Sequence, residues 1–294
     1  MMQKAEAHLL ADGRLHLHHG PIDLMIEARG LGRAAAFRRA AARFAPLLEE
    51  LVSELALLRR PGGTQWPEGP VARRMTRAIA PHGDVFVTPM AAVAGAVADE
   101  ICAVMVKGGG LETCHVNNGG DIAFHIAPGQ SLTAAIWQDG TIGRVRLAAE
   151  SPVRGIATSG RDGRSFSLGI ADAVTVLARN AAEADAAATL IANAVDLPGH
   201  PAVRRRPASA LAPDSDLGTR PVTVGLGPLR PADVRKALSR GLRCAETMHA
   251  RGLIHAAALF LCGESITIGT RVLIPEQTGE RDARIHVAQD GDHP

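Results

Sequence analysis

The chain has no tyrosine, and Phe and Trp bring its aromatic content to only 3% of 294 residues. The core must therefore be built from Ala, Val, Leu and Ile, without the aromatic platforms on which single-stranded nucleic acid stacks. Net charge is also lacking. A formal +2 at pH 7, from 32 Lys and Arg against 30 Asp and Glu, provides no broad field for DNA or an acidic membrane. One local basic run, Arg204-Arg205-Arg206, sits in a Pro-rich polar stretch and reads as a solvated loop rather than a phosphate site. Cysteine is scarce. Cys102, Cys114, Cys244 and Cys262 form no Cys-x-x-Cys pair, which argues against a disulfide framework or a zinc knuckle and predicts reduced, buried thiols. No apolar run reaches about 18 residues, and the amino terminus has no apolar h-region. The expectation is a cytoplasmic protein that neither spans a membrane nor carries an export signal.

Hydrophobic residues make up 46% of the chain, which fits a globular protein, and the length allows one or two domains. Residues 14–28 alternate and turn at Gly20-Pro21, which predicts a strand pair. His16 and His18 share one face of it and His19 the other; with no carboxylate or Cys at ligand spacing, no metal site is expected there. Over residues 33–58, Phe37, Ala41, Phe44, Leu48, Leu51, Leu55 and Leu58 recur at helical spacing as a core stripe, and Pro46 should kink or divide the helix. Residues 60–70 read as a loop. A helix should run from Pro89 to about Lys107 and stop at Gly108-Gly109-Gly110. Strands are expected over 112–126, over 131–148 around a turn at Asp139-Gly140, and over 171–178, followed by an Ala-rich helix over 181–195. A surface excursion over 198–221, a short strand, a helix over 231–251 and two strands between 253 and 269 complete the pattern. Adjacent strands on short turns with several long helices indicate an α+β fold, a mostly antiparallel sheet with packed helices. It reads as a single domain over 1–279 with its site in 86–195, and a polar tail over 280–294.

Three segments have the residue types for chemistry. In Val116-Asn117-Asn118-Gly119-Gly120-Asp121, paired glycines inside a strand run indicate either a bulge or a place where a flat or anionic group approaches the backbone. In Arg154-Gly155-Ile156-Ala157-Thr158-Ser159-Gly160, hydroxyls beside glycine form either an ordinary turn or one whose N–H groups face a phosphate. In Glu183-Ala184-Asp185-Ala186-Ala187-Ala188-Thr189, Asp185 and Thr189 lie one helical turn apart and can supply two hard oxygens to Mg²⁺.

Taken together and in this order, with Thr88-Pro89-Met90 and the helix around Gly95 and Asp99, these segments resemble the ApbE-like superfamily, whose characterised members are FAD:protein FMN transferases. The resemblance covers residues 86–195. It implies an ApbE-like, T-fold-like α+β fold, Mg²⁺ held by Asp185 and Thr189, and FAD or a related nucleotide. Gly119, Gly120 and Asp121 would line the nucleotide cleft, and Thr158, Ser159 and Gly160 would lie beside the pyrophosphate, with Asp185 and Asp121 as the catalytic carboxylates. It further implies a small-molecule nucleotide as partner and a protein acceptor bearing Ser or Thr, with no nucleic acid or membrane; the oligomeric state stays open. The chain departs from the transferases in two places. It has no His-x-x-Asp-Pro segment after the Thr-Ser-Gly turn, and Ala94 stands where they have Lys. The pattern looks closer to an uncharacterised branch sharing Ser-x-Gly-x-Ala-Asp-Ala-Val-Thr-Val. A nucleotide-binding or carrier protein without turnover is the alternative, and His115 and His125 are candidates to replace the missing His.

Overall fold

In the computed structural model, residues 4–62, 65–138, 141–269 and 287–288 are described. The alternating segment near the amino terminus forms β1 (Glu6–Leu9), β2 (Leu15–His19) and β3 (Ile22–Arg29). Leu15, Leu17, Leu24 and Ile26 point inward, as period-two alternation requires. Helices α1 (Arg33–Phe44), α2 (Leu47–Ser53) and α3 (Leu55–Leu58) follow, and the break between the first two falls at Pro46. Helix α4 (Pro70–Ile79) was not anticipated, although Pro70 in its first turn and the buried spacing of Val71, Ala72, Met75, Ala78 and Ile79 carry its signature.

After a 3₁₀ turn at Pro89–Ala92 comes α5 (Val93–Val106), then β4 (Thr113–Asn118) and β5 (Asp121–Ile126). Strands β6 (Ser131–Gln138) and β7 (Thr141–Ala148) form a separate ribbon whose turn at 139–140 lies outside the described residues. Next come β8 (Gly155–Ser159), β9 (Ala173–Ala178), α6 (Ala181–Ala194), β10 (Val203–Pro207) and β11 (Pro221–Leu226). Helix α7 (Pro231–Ala250), β12 (Ala256–Leu261) and β13 (Glu264–Gly269) follow, and β14 (Val287–Ala288) pairs with β6. Of the segment expected to be a polar tail, only this strand falls among the described residues.

The main sheet has nine strands in the order β1-β2-β3-β4-β5-β8-β9-β12-β13, every neighbouring pair antiparallel. The α+β expectation holds. One face of the sheet is covered by helices. On the opposite face, Ile122, Phe124 and Ile126 of β5 pack against Leu132, Ala134, Val145 and Leu147 of the ribbon, forming a second core. Helix α5 sits centrally, against α1, α4, α6, β4 and β5. Among the described residues, Pro89–Val106 is the one stretch long and apolar enough to cross a membrane. Its two carboxylates are both engaged, Asp99 with the start of α6 and Glu100 with Arg43 and Arg74.

Three local expectations are corrected. The Arg204–Arg206 run lies on β10, paired with β11, and Arg205 is tied to the Leu168 carbonyl and the Asp196 carboxylate, so it is not a free loop. Only Cys102 and Cys114 are buried, with sulfurs 3.9 Å apart; Cys262 is exposed at the β12–β13 turn with φ 50°. The leucine stripe also divides its duties. Phe44, Leu51 and Leu58 reach the core, while Leu48, Leu51, Leu55 and Leu58 also line a cavity.

Candidate functional site

The site depends on how closely α5 and α6 can approach. A Cβ on Gly95 would lie 2.2 Å from the Ala181 carbonyl oxygen, so only glycine lets α5 meet the start of α6. Asp99, one turn further along α5, accepts hydrogen bonds from the Ala181 and Ala182 N–H groups at 2.9 Å each. These are donors that a helix start leaves unsatisfied, and a carboxylate there also meets the positive end of the helix dipole. Asn180 caps the same helix by accepting from the Glu183 N–H. The clamp is structural; in the sequence Asp99 stands only within the helix motif around Gly95.

Asp185, four residues into α6, is thereby aimed back at α5, where its Oδ2 accepts from the Gly95 N–H at 3.0 Å. Across from it, β4 and β5 are joined by a two-residue turn, Gly119-Gly120, with φ of +66° and +113°. Positive φ at both central residues is the hairpin geometry that glycine serves. The glycine pair is therefore a turn between two strands, not a bulge inside one. The Asn117 side chain accepts from the Gly120 N–H at 2.8 Å, and Asn118 donates to the Ala94 carbonyl at 3.1 Å, docking the turn onto α5. Asp121 leaves this turn as a buried residue, and its Oδ1 has no hydrogen-bond partner.

The two carboxylates share one cavity of about 660 Å³. Its polar lining includes Asn118, Gly119, Asp121, Thr158, Ser159, Gly160, Asp185 and Thr189; its apolar lining includes Leu48, Leu51, Leu55, Leu58, Val87 and Met90. Gly120 is not on the wall: space around its Cβ position is empty to 4 Å, and its role is the turn's backbone conformation. The Thr158 hydroxyl is shared with Thr175 at 2.8 Å. His115 and His125 lie on β4 and β5 away from the lining, so neither takes the place of the missing His. Burial lowers the His115 pKa to about 4, which keeps the ring neutral.

Burial and neighbouring charge shift both carboxyls. Burial holds the Asp121 pKa well above the ordinary carboxylate range and the Asp185 charge raises it further, while a hydrogen bond from the Thr158 N–H and the Arg164 charge draw it back. Burial pushes Asp185 up to about 7, against hydrogen bonds from the Gly95 and Ala94 N–H groups, with Asp99 adding to the rise. Two carboxylates facing each other in low dielectric disfavour double ionisation unless a cation joins them. Hard oxygens from Asp121, Asp185 and Thr189, one of them without a partner, suit Mg²⁺.

Two wall segments were not anticipated. Arg164 lines the cavity and is fixed by donating from Nη2 to the Pro21 carbonyl at 2.6 Å. Ser215, Asp216 and Leu217, from the supposed surface excursion, also line it, and the Thr88 hydroxyl donates to Asp216. Neither carries a local sequence signal, because both meet the site only through the tertiary fold.

Residues 7–267 match the family model described as AbpE bacteria. Similar curated proteins include a UPF0280 protein of Methanopyrus kandleri, 40% identical over 124 residues that cover 42% of this chain and 48% of that one. Another, from Methanothrix thermoacetophila, is 42% identical over 132 residues, covering 43% and 52%. The chain thus spans about half the length of the curated relatives it matches. Among solved structures, the apo form of the Pseudomonas stutzeri flavinyl transferase ApbE aligns over 92% of this chain and 96% of that one, with 14% identity and a TM-score of 0.46. The Thermotoga maritima ApbE protein aligns over 90% and 96%, with 12% identity and the same TM-score. With most of its length matched, the chain belongs to the AbpE bacteria family, and with it to the ApbE-like superfamily.

Proposed function

We propose that the protein binds a flavin dinucleotide, FAD or a related nucleotide, with Mg²⁺, and that its chemistry is transfer at the diphosphate to a Ser or Thr hydroxyl of a protein acceptor. The single observation that carries this reading is the buried, partnerless Asp121 oxygen close enough to Asp185 to feel its charge, in a cavity with both polar and apolar lining. Asp185 and Thr189 on α6, with Asp121 opposite, hold the cation. Mg²⁺, when bound, neutralises charge that develops at the broken P–O bond. The Thr158-Ser159-Gly160 segment and Arg164 border the diphosphate, and the leucines of α2 and α3 shield an apolar ring from water. Asp121, ionised once the cation is bound beside Asp185, is the group to accept the proton of the acceptor hydroxyl.

A second reading has its own support. Among the described residues, no His or Lys lines the cavity, and Arg59 and Arg164 are its cations. A site without the usual proton-transferring groups suits tight binding without turnover. Incubation with FAD and MgCl₂ separates the two. AMP release with flavin appearing on a Ser- or Thr-bearing acceptor supports transfer, whereas a stoichiometric complex without AMP supports a carrier. Absence of any FAD complex excludes both.

A further inference from the structure

The outer face of the β1–β3 sheet edge presents a second set of metal-ligating side chains. His16 and His18 lie two apart on β2, so they point the same way, and the β2–β3 register sets Asp23 directly opposite His18. This is the carboxylate that reading along the strand alone could not supply. One ligand atom from each of the three lies within 4.8 Å of the others. Asp23 Oδ1 is 2.7 Å from His16 Nε2, and Asp23 Oδ2 is 3.8 Å from His18 Nδ1, so the carboxylate stands between the two rings. All three are reachable from solvent, their side chains 27%, 32% and 51% exposed in the order His16, His18, Asp23. The neighbouring strand adds donors on the same face. Its register pairs Glu6 with His18 and His8 with His16.

We propose that His16, His18 and Asp23 form a binding site for a borderline divalent cation of the Zn²⁺ type, separate from the Mg²⁺ site in the cavity. Two imidazoles and a carboxylate are the donors such an ion prefers, whereas Mg²⁺ takes oxygen ligands alone. Three protein ligands leave a fourth position of a tetrahedral ion to water or to a neighbouring donor such as His8 or Glu6. Ligands about 2.0–2.1 Å from the metal stand about 3.3 Å apart, which small rotations of these partly exposed side chains reach. The cation ties β2 to β3 just before their turn, and Pro21 of that turn and Ile22 at the start of β3 line the cavity, so the tie stiffens that wall.

The test uses the full chain without a histidine tag, loaded with ZnCl₂, desalted and analysed for metal, with affinity read by competition against a chromogenic chelator. The expected result is one retained equivalent in the wild type. His16→Ala and His18→Ala should each bind on the order of tenfold or more weakly, Asp23→Asn should also weaken binding, and His125→Ala should change nothing. The shape-conserving Asp23→Asn carries the test should an alanine variant fold poorly. No retained Zn²⁺ in the wild type, or equal retention when these ligands are replaced, overturns the proposal. Because the readout involves neither flavin nor Mg²⁺, the site and the proposed function can fail separately.

Discussion

At the scale of the residue, the site's behaviour depends on what it costs to ionise Asp185 inside a cavity. Its carboxyl ordinarily titrates near 3.8 and here near 7. Between these values the unfolded chain has shed the proton while the folded chain keeps it. The unfolded state then binds fewer protons, so this group makes stability fall as pH rises across the window and stay level above it. Asp185→Asn should therefore gain stability over the wild type progressively from pH 4 to pH 7 when divalent cations are absent, as thermal melts across that range would read. Added Mg²⁺ should reverse the order at pH 8 by binding only the wild type's ionised site. Asp185, Thr189 and Asp121 stand out only through the ordered set of segments that resembles the ApbE-like superfamily, since each segment alone has an ordinary structural reading; that they line one cavity comes from the fold. Arg164 was not legible: its role comes from the Pro21 carbonyl, 143 residues away, which holds it over the turn.

At the scale of the element, the α5–α6 contact and the β4–β5 turn set where those residues stand. Gly95→Ala inserts a methyl 2.2 Å from the Ala181 carbonyl and should cost about 1–3 kcal/mol in chemical denaturation as the helices separate. Asp99→Ala removes the acceptor of two N–H groups at the start of α6 and should cost about 2 kcal/mol. Gly119→Ala forces a side chain into positive φ and should cost about 1–2 kcal/mol by the same measurement. Period and punctuation made most elements readable: the broken helix at Pro46, the glycine stop after α5, the Ala-rich α6. What stayed hidden has a physical cause. The residues of Gly119-Gly120 suit a bulge and a hairpin turn equally, and only strand pairing decides between them. The leucine stripe of α2 and α3 has a core helix's spacing, yet it also walls a cavity.

At the scale of the whole molecule, the cavity is assembled from segments scattered between residues 21 and 217, with no two of its walls adjacent in the chain. The excursion after α6 illustrates this. Its prolines and arginines mark it as surface, but the hydrogen bond from Thr88 to Asp216 brings it back over the site across 128 residues of chain. Asp216→Ala should leave the fold intact and weaken nucleotide binding by about tenfold, the loss expected for one hydrogen bond at a closed wall. The central claim is that a carboxylate on α6 and another at the β4–β5 turn jointly hold a cation that bridges a dinucleotide diphosphate. Calorimetric titration of FAD into wild type and Asp185→Asn, each with and without MgCl₂, tests it most directly. Stoichiometric binding by the wild type that requires Mg²⁺ and vanishes in the variant is the predicted result; binding that is indifferent to Mg²⁺, or that survives Asp185→Asn unchanged, contradicts it.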